Sequence, residues 1–124
     1  MSTVSPDTRG VSFAYGSYGL KATTGAQIKS NQIESARKAV TRMVSKIGRY
    51  WIRIFPDRPI TQKAAETPMG KGKGDPQGFC FEVRPGRMLF EIDGGVPREI
   101  AFEALRKAGA KLPVKTRIVA REDM

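Results

Sequence analysis

Residues 31–55 read NQIESARKAVTRMVSKIGRYWIRIF, and the spacing of the apolar residues changes within this stretch. Up to residue 48 the apolar side chains recur at intervals of three and four, which predicts a helix with one apolar face. These side chains are Ile33, Ala36, Val40, Met43 and Ile47. Asn31 is the expected N-cap with Glu34 as its capping-box partner, and Gly48 is the expected end of the helix.

The segment YWIRIF at 50–55 has the period of a strand. Side chains alternate between the two faces of a sheet. One face of this strand therefore carries Tyr50, Ile52 and Ile54, and the other carries Trp51, Arg53 and Phe55. Because Pro56 and Pro59 follow, we expect the strand to end there.

The segment FCFEVRPGRMLFEI at 79–92 predicts a hairpin, with Pro85 and Gly86 in its turn. Phe79, Phe81 and Val83 alternate with polar neighbours, and Met88, Phe90 and Ile92 share one face of the return strand. Core packing is the expected role of these aromatic rings, although they could also stack on bases. Cys80 is expected to be an unreactive strand residue, because the chain has no histidine to activate it.

A second helix is predicted from Pro97 to Gly109, with Pro97 at the first helical position. Its apolar stripe consists of Ile100, Ala101, Ala104, Leu105 and Ala108. PVKTRIV at 113–119 predicts a last strand, and VSFAYGSYGLKA at 11–22 is either a strand or an extended arm.

This order of elements indicates an α+β fold, in which two helices pack on a mixed, mostly antiparallel sheet with a long basic loop. Residues 1–10 are expected to form a disordered N-terminal segment. Residues 11–121 are expected to form a single α+β domain, with an extended loop at 57–77 and a C-terminal tail at 122–124.

The charge of the chain points to a polyanionic partner. The 124 residues carry a formal net charge of +10, with a sequence pI of about 10.2. Residues 21–63 hold ten basic and two acidic residues, a net +8, so we expect a defined binding face in the front half. The ten basic residues are Lys21, Lys29, Arg37, Lys38, Arg42, Lys46, Arg49, Arg53, Arg58 and Lys63. With no histidine and one cysteine, neither a cofactor nor a metal is predicted.

The segment PMGKGKGDP at 68–76 invites comparison with phosphate-binding loops. It fits neither G-x-x-x-x-G-K-[ST] nor G-x-G-x-x-G, and a predicted strand follows it instead of a helix. Lys71 and Lys73 can neutralise phosphates, and the glycines allow close backbone approach. A phosphate- or nucleotide-handling enzyme is the alternative hypothesis. A binder of acidic membranes is weaker, because the first helix lacks bulky anchoring aromatic residues.

Six segments resemble, in order, the bacterial-type large-subunit ribosomal protein L-sixteen family. They are GLKA, QIESARKAVTR, WIRIFPDRPIT, MGKGKG, PGRMLFEIDG and KLPVKT, and the resemblance runs from about residue 10 to about residue 121. It implies an α+β domain that is not an enzyme and that serves as a structural constituent of the large ribosomal subunit. It also implies a location on the ribosome, in the bacterial cytoplasm or in an organelle.

The resemblance further implies binding to large-subunit ribosomal RNA, to tRNA and to neighbouring large-subunit ribosomal proteins, with no membrane and no homo-oligomer. By matching motif, Arg37, Arg42, Arg53 and Arg58 would face ribosomal RNA. The loop on the tRNA side, near the aminoacyl site and the peptidyl-transferase centre, would consist of Met69, Gly70, Lys71, Gly72, Lys73 and Gly74. Pro68 stands where members of the family often have arginine.

Overall fold

Seven strands and two helices make up the part of the chain that a computed structural model describes, residues 11–59 and 78–123. The strands are β1 (Tyr18–Ala22), β2 (Ala26–Lys29), β3 (Arg49–Ile52), β4 (Arg58–Pro59), β5 (Phe79–Val83), β6 (Met88–Asp93) and β7 (Thr116–Ala120). The helices are α1 (Ser30–Val44) and α2 (Arg98–Gly109), and a 3-10 turn follows at Arg121–Asp123. The predicted disordered segment at 1–10, Lys63 and the loop residues 69–74 lie outside the described residues.

The strands form two sheets. The larger has the order β3-β6-β1-β7 and the smaller has the order β2-β5-β4. Every pairing between described strands is antiparallel. The α+β class is therefore confirmed, with two antiparallel sheets where the sequence suggested one mixed sheet.

The predicted hairpin at 79–92 is wrong, because β5 and β6 belong to different sheets. The predicted turn does form: Gly86 has a φ of 93°, and the Arg87 N–H donates to the Arg84 carbonyl at 3.2 Å. Ala22 at the end of β1 accepts from the Gly86 N–H and donates to the Arg87 carbonyl. The turn is therefore hydrogen-bonded to β1, and the strands on its two sides, β5 and β6, do not pair with each other.

Helix α1 begins and ends earlier than the sequence predicts. Its N-cap is Lys29 and not Asn31, and the Gln32 side chain accepts a hydrogen bond from the Lys29 N–H at 2.9 Å. The helix ends at Val44, so Ile47 falls outside the apolar stripe and is exposed. Gly48 does not end the helix; a Cβ there would lie 2.4 Å from the Asp93 carbonyl oxygen.

Helix α2 is shifted by one residue from the predicted position, with Pro97 as its N-cap and Gly109 as its last residue. Its predicted apolar stripe is confirmed, since four of the five residues are buried and Ile100 packs against the core. The helices pack on each other, with α2 against β1 and β7 and α1 against β3. Helix α1 also contacts β2 and β5, so α2 packs on the larger sheet and α1 packs on both sheets.

A β-bulge decides which side chains of β6 enter the core. Leu20 pairs with Phe90 and Lys21 pairs with Met88, so Leu89 is the extra residue. Leu89, Phe90 and Ile92 lie in the core cluster, whereas Met88 is buried on the opposite face, against Gly19. The expectation that Met88 shares a face with Phe90 is therefore wrong.

The smaller sheet departs from the predicted pattern at one end of β5. Cys80 is buried, as its expected inert role requires, but Phe79 remains exposed and does not enter the core. Phe79 pairs with Pro59 of the two-residue strand β4.

Candidate nucleic-acid interface

Six of the ten predicted RNA-binding residues lie on the surface or half-buried and form no ion pair with any described residue. Lys38 and Arg42 are one helical turn apart on the exposed face of α1, and Lys46 follows in the turn after the helix. Lys29 and Arg49 flank this helix at its two ends. We define the basic face as Lys38, Arg42 and Lys46, which follow one another at four-residue spacing. Lys21 lies apart from it, half-buried on β1.

Arg37 is engaged within the protein. Its guanidinium pairs with Glu34 one turn earlier and also contacts the hydroxyl oxygens of Thr41 and Tyr50. The hydrogen bonds to Glu34 and then to Tyr50 raise the pKa of Arg37, and the same guanidinium lowers the pKa of Glu34. Hydrogen bonds from Thr41 and Arg37 lower the pKa of Tyr50. Arg37 thus ties α1 to β3, with part of its charge already neutralised.

Arg53 is also engaged, with a carboxylate that no sequence pattern singles out. Glu91 on β6 is fully buried and pairs with the Arg53 guanidinium. It also accepts hydrogen bonds from the backbone N–H groups of Ala14 at 3.0 Å, Tyr15 at 2.8 Å and Gly16 at 2.5 Å. Successive N–H groups of this kind form a concave anion site, which here holds a side chain of the same protein.

The protonation state of Glu91 follows from these contacts. Burial alone would raise the pKa of this carboxyl group. The hydrogen bonds from Gly16, Tyr15, Ala14 and Arg53 outweigh burial and hold the pKa below its ordinary value of 4.5. Glu91 is therefore a buried carboxylate anion at neutral pH.

The backbone held by Glu91 contains several bends and forms no strand; we define residues 12–17 as the arm. Beyond Glu91, the arm is fixed by Arg53, which donates to the Ser12 carbonyl at 3.2 Å, and by Arg121, which donates to the Gly16 carbonyl at 2.8 Å. Arg121 also lies over the Phe13 ring, 5.0 Å from its centroid. Of the two possibilities left open for residues 11–22, the structure has both, an arm followed by a strand.

A second group of basic side chains lies around the end of α2. An open groove of about 520 Å³ is lined by Arg106, Lys115 and Arg117, with Gly109 and Thr116 among its other lining residues. Arg106 is paired with Glu103 at 2.5 Å, which lowers the pKa of Glu103 and raises that of Arg106. Arg117 lies on β7 and Lys115 directly precedes this strand, which brings both side chains to the groove.

The comparison with known proteins decides the family. Residues 1–119 match the family described as ribosomal protein L16p/L10e. The chain is also 56% identical over 115 residues to a large ribosomal subunit protein uL16 from Parabacteroides distasonis, which covers 93% of this chain and 79% of the relative. The chain belongs to the ribosomal protein L16p/L10e family.

Members of this family are structural, non-enzymatic components of the ribosome, and nothing supports the alternative of a phosphate-handling enzyme. The described residues contain no cluster of side chains that could hold a metal ion. Nor does either described helix have the length and apolar character to cross a membrane.

The structure sorts the predicted site residues of this family member into three groups. Six form no ion pair with any described residue, and Arg37 and Arg53 are paired with acidic residues. Lys63 and the side chain of Arg58 lie outside the part of the chain that the structure describes. The sequence analysis missed Glu91 and Tyr15. Glu91 alternates with apolar residues as a solvent-facing strand residue would, and only the arm on that face of the sheet explains its burial.

Proposed function

We propose that this chain docks on large-subunit ribosomal RNA through the basic face together with Lys21, Lys29 and Arg49. The chain is a structural constituent of the large ribosomal subunit and binds ribosomal RNA and neighbouring ribosomal proteins, as its family membership implies. The observation that carries the docking proposal is that these cations form no ion pair with any residue in the described ranges, 11–59 and 78–123. Lysine and arginine side chains without acidic partners are free to neutralise phosphates, and each phosphate contact releases counterions.

The two paired arginines have a different part in this proposal. Arg37 and Arg53 shape the protein surface next to the RNA, because each is already hydrogen-bonded to a carboxylate. Arg53 in particular is 14% exposed, which leaves little of its guanidinium for a phosphate. The free cations at Lys38, Arg42 and Arg49 are expected to contribute more to affinity than the two paired ones.

Salt dependence tests the docking face. In the double variant Lys38→Gln/Arg42→Gln, the slope of log affinity against log salt for large-subunit ribosomal RNA should fall by about 2, about 1 for each lost phosphate contact. The matched control is Lys107→Gln/Lys111→Gln, which removes the same charge near the end of the other helix. Equal slope losses in the two variants would show that net charge, and not the α1 face, drives docking.

We also propose that Met69–Gly74 contact tRNA near the aminoacyl site. Support comes from the family resemblance and from the content of the segment, two lysines among glycines that allow close approach to phosphates. Lys71 and Lys73 lie outside the segment that holds most of the positive charge, so docking does not require them.

The double variant Lys71→Ala/Lys73→Ala separates the two contacts. It should keep the melting temperature and the affinity for ribosomal RNA close to those of the unmodified protein. Ribosomes that carry it should bind aminoacyl-tRNA more weakly. If ribosomal RNA docking fell by the same factor as tRNA binding, the proposed division of roles would be wrong.

A further inference from the structure

Two aromatic and two arginine side chains form a ladder on the outer face of β3, away from the helices. Tyr15 of the arm stacks on Trp51, with ring centroids 5.3 Å apart and planes inclined by 19°. The Arg49 guanidinium lies over the Trp51 ring at 5.8 Å, and that of Arg53 lies over the Tyr15 ring at 5.9 Å. We call these four residues the aromatic ladder.

The ladder is held in place before any ligand binds. Glu91 fixes the backbone at Tyr15 through three consecutive N–H groups, and its ion pair with Arg53 fixes the far end of the ladder. These side chains therefore lose their conformational entropy when the protein folds, and a ligand does not have to order them. This favours affinity.

The exposure of Tyr15 does not fit a purely structural role. The arm is already anchored by Glu91 and Arg121, yet Tyr15 keeps 56% of its surface exposed. At the other end of the ladder Arg49 is exposed and has no ion pair among the described residues. The accessible ring can stack on the base of a nucleotide, and the guanidinium of Arg49 can bind its phosphate.

We propose that the aromatic ladder binds an unpaired nucleotide of RNA, with the base against the exposed part of the Tyr15 ring and a phosphate at Arg49. Unpaired bases in RNA loops and bulges are commonly recognised by stacking on aromatic rings and on guanidinium planes. This inference rests on the proposed docking to ribosomal RNA and adds a contact that phosphate neutralisation alone does not supply.

Trp51 reports on this site directly, because it is the only tryptophan in the sequence. The full chain is titrated with a short single-stranded oligoribonucleotide and, separately, with an abasic strand that has the same number of phosphates. The base-bearing strand should quench Trp51 emission and bind about 5- to 150-fold more tightly than the abasic strand. The abasic strand should bind through phosphates without that quenching.

Three variants isolate the ring of Tyr15. Tyr15→Leu should remove the preference for the base-bearing strand and leave affinity for the abasic strand unchanged. Tyr15→Phe should restore the preference, since it keeps the ring. Phe79→Leu, which removes an exposed ring in the other sheet, is the matched control and should have no effect.

The outcomes separate the two proposals. If both strands bind equally and neither quenches Trp51, the stacking site is wrong while docking through phosphates stands. A Tyr15→Leu protein that still prefers the base-bearing strand also overturns the stacking site. If neither strand binds at low salt, the proposed docking function fails and the stacking site fails with it.

Discussion

Replacement of Glu91 by glutamine removes one negative charge from a fully buried position and leaves the side-chain shape nearly unchanged. In the native protein this carboxylate pairs with Arg53 and accepts hydrogen bonds from three backbone N–H groups of the arm. A glutamine has one acceptor oxygen, so at least one N–H group or the Arg53 guanidinium loses its partner. We therefore expect Glu91→Gln to be strongly destabilising.

The magnitude follows from the burial of the two partners. Breaking a buried ion pair by removing one partner costs about 3–5 kcal/mol. The lower end applies here, because Arg53 is 14% exposed and also donates to the Ser12 carbonyl. With a loss of about 3 kcal/mol in the free energy of unfolding, the melting temperature of a chain this long should fall by about 10 °C.

Urea unfolding followed by far-ultraviolet circular dichroism measures this loss, and Trp51 fluorescence reports on the arm in the same samples. Glu99→Gln is the matched control, since it removes the same charge from an exposed position in the first turn of α2. That variant should lose about 0.5 kcal/mol in the free energy of unfolding. If Glu91→Gln were no more destabilising than Glu99→Gln, the anchoring role of Glu91 would be refuted.

The pH dependence of stability gives an independent check on the same residue. The pKa of Glu91 is lower in the folded protein than its ordinary value of 4.5. The unfolded chain therefore takes up the proton first as the pH falls, and the folded state loses stability. The contribution of Glu91 is fully present above about pH 4.5 and declines below it, so the stability gap between the unmodified protein and Glu91→Gln should narrow there. A gap that stays constant on acidification would contradict the charged state of Glu91.

Three further predictions concern the fold. Gly48→Ala should lower the free energy of unfolding, measured with urea, by about 2 kcal/mol. The new Cβ would lie 2.4 Å from the Asp93 carbonyl oxygen and 2.5 Å from Val96 Cγ2. A loss near zero would mean that β6 can move away from this position. Gly86→Ala should lower the free energy of unfolding by about 1–2 kcal/mol in the same assay, because its φ of 93° is unfavourable for any residue with a Cβ. Gly95→Ala, at a φ of 84° with open space around it, should lower it by a similar amount. Cys80 should react with a thiol reagent far more slowly in the native protein than in denaturant, and equal rates would show that β5 is not buried as described.

Local patterns in the sequence predicted the elements but not their partners. The three- and four-residue spacing located both helices, because the apolar stripe that packs on the sheet must repeat with the helical turn. The same reasoning located the turn at Pro85 and Gly86, whose backbone preferences are local. It missed β2 and the two-residue β4, which are too short to show a period.

The charge pattern predicted a basic face in the same way, since an unpaired lysine on the outer side of α1 can be inferred from helix geometry. It could not predict which arginines are neutralised by distant acids. Arg53 and Glu91 are separated by 37 intervening residues and meet only because β3 pairs with β6. Arg37 and Glu34, by contrast, are one helical turn apart, a spacing at which ion pairs form within a helix.

The sequence by itself determined the α+β class, the two helices and the basic character of the first of them. The tertiary structure alone decided that β5 and β6 separate, that a bulge turns Met88 away from the core, and that Glu91 is buried beneath the arm. The physical reason is the range of the interactions. Helix periodicity and turn preferences act between residues a few positions apart, whereas strand order and the burial of a carboxylate depend on segments more than 70 residues away in the chain.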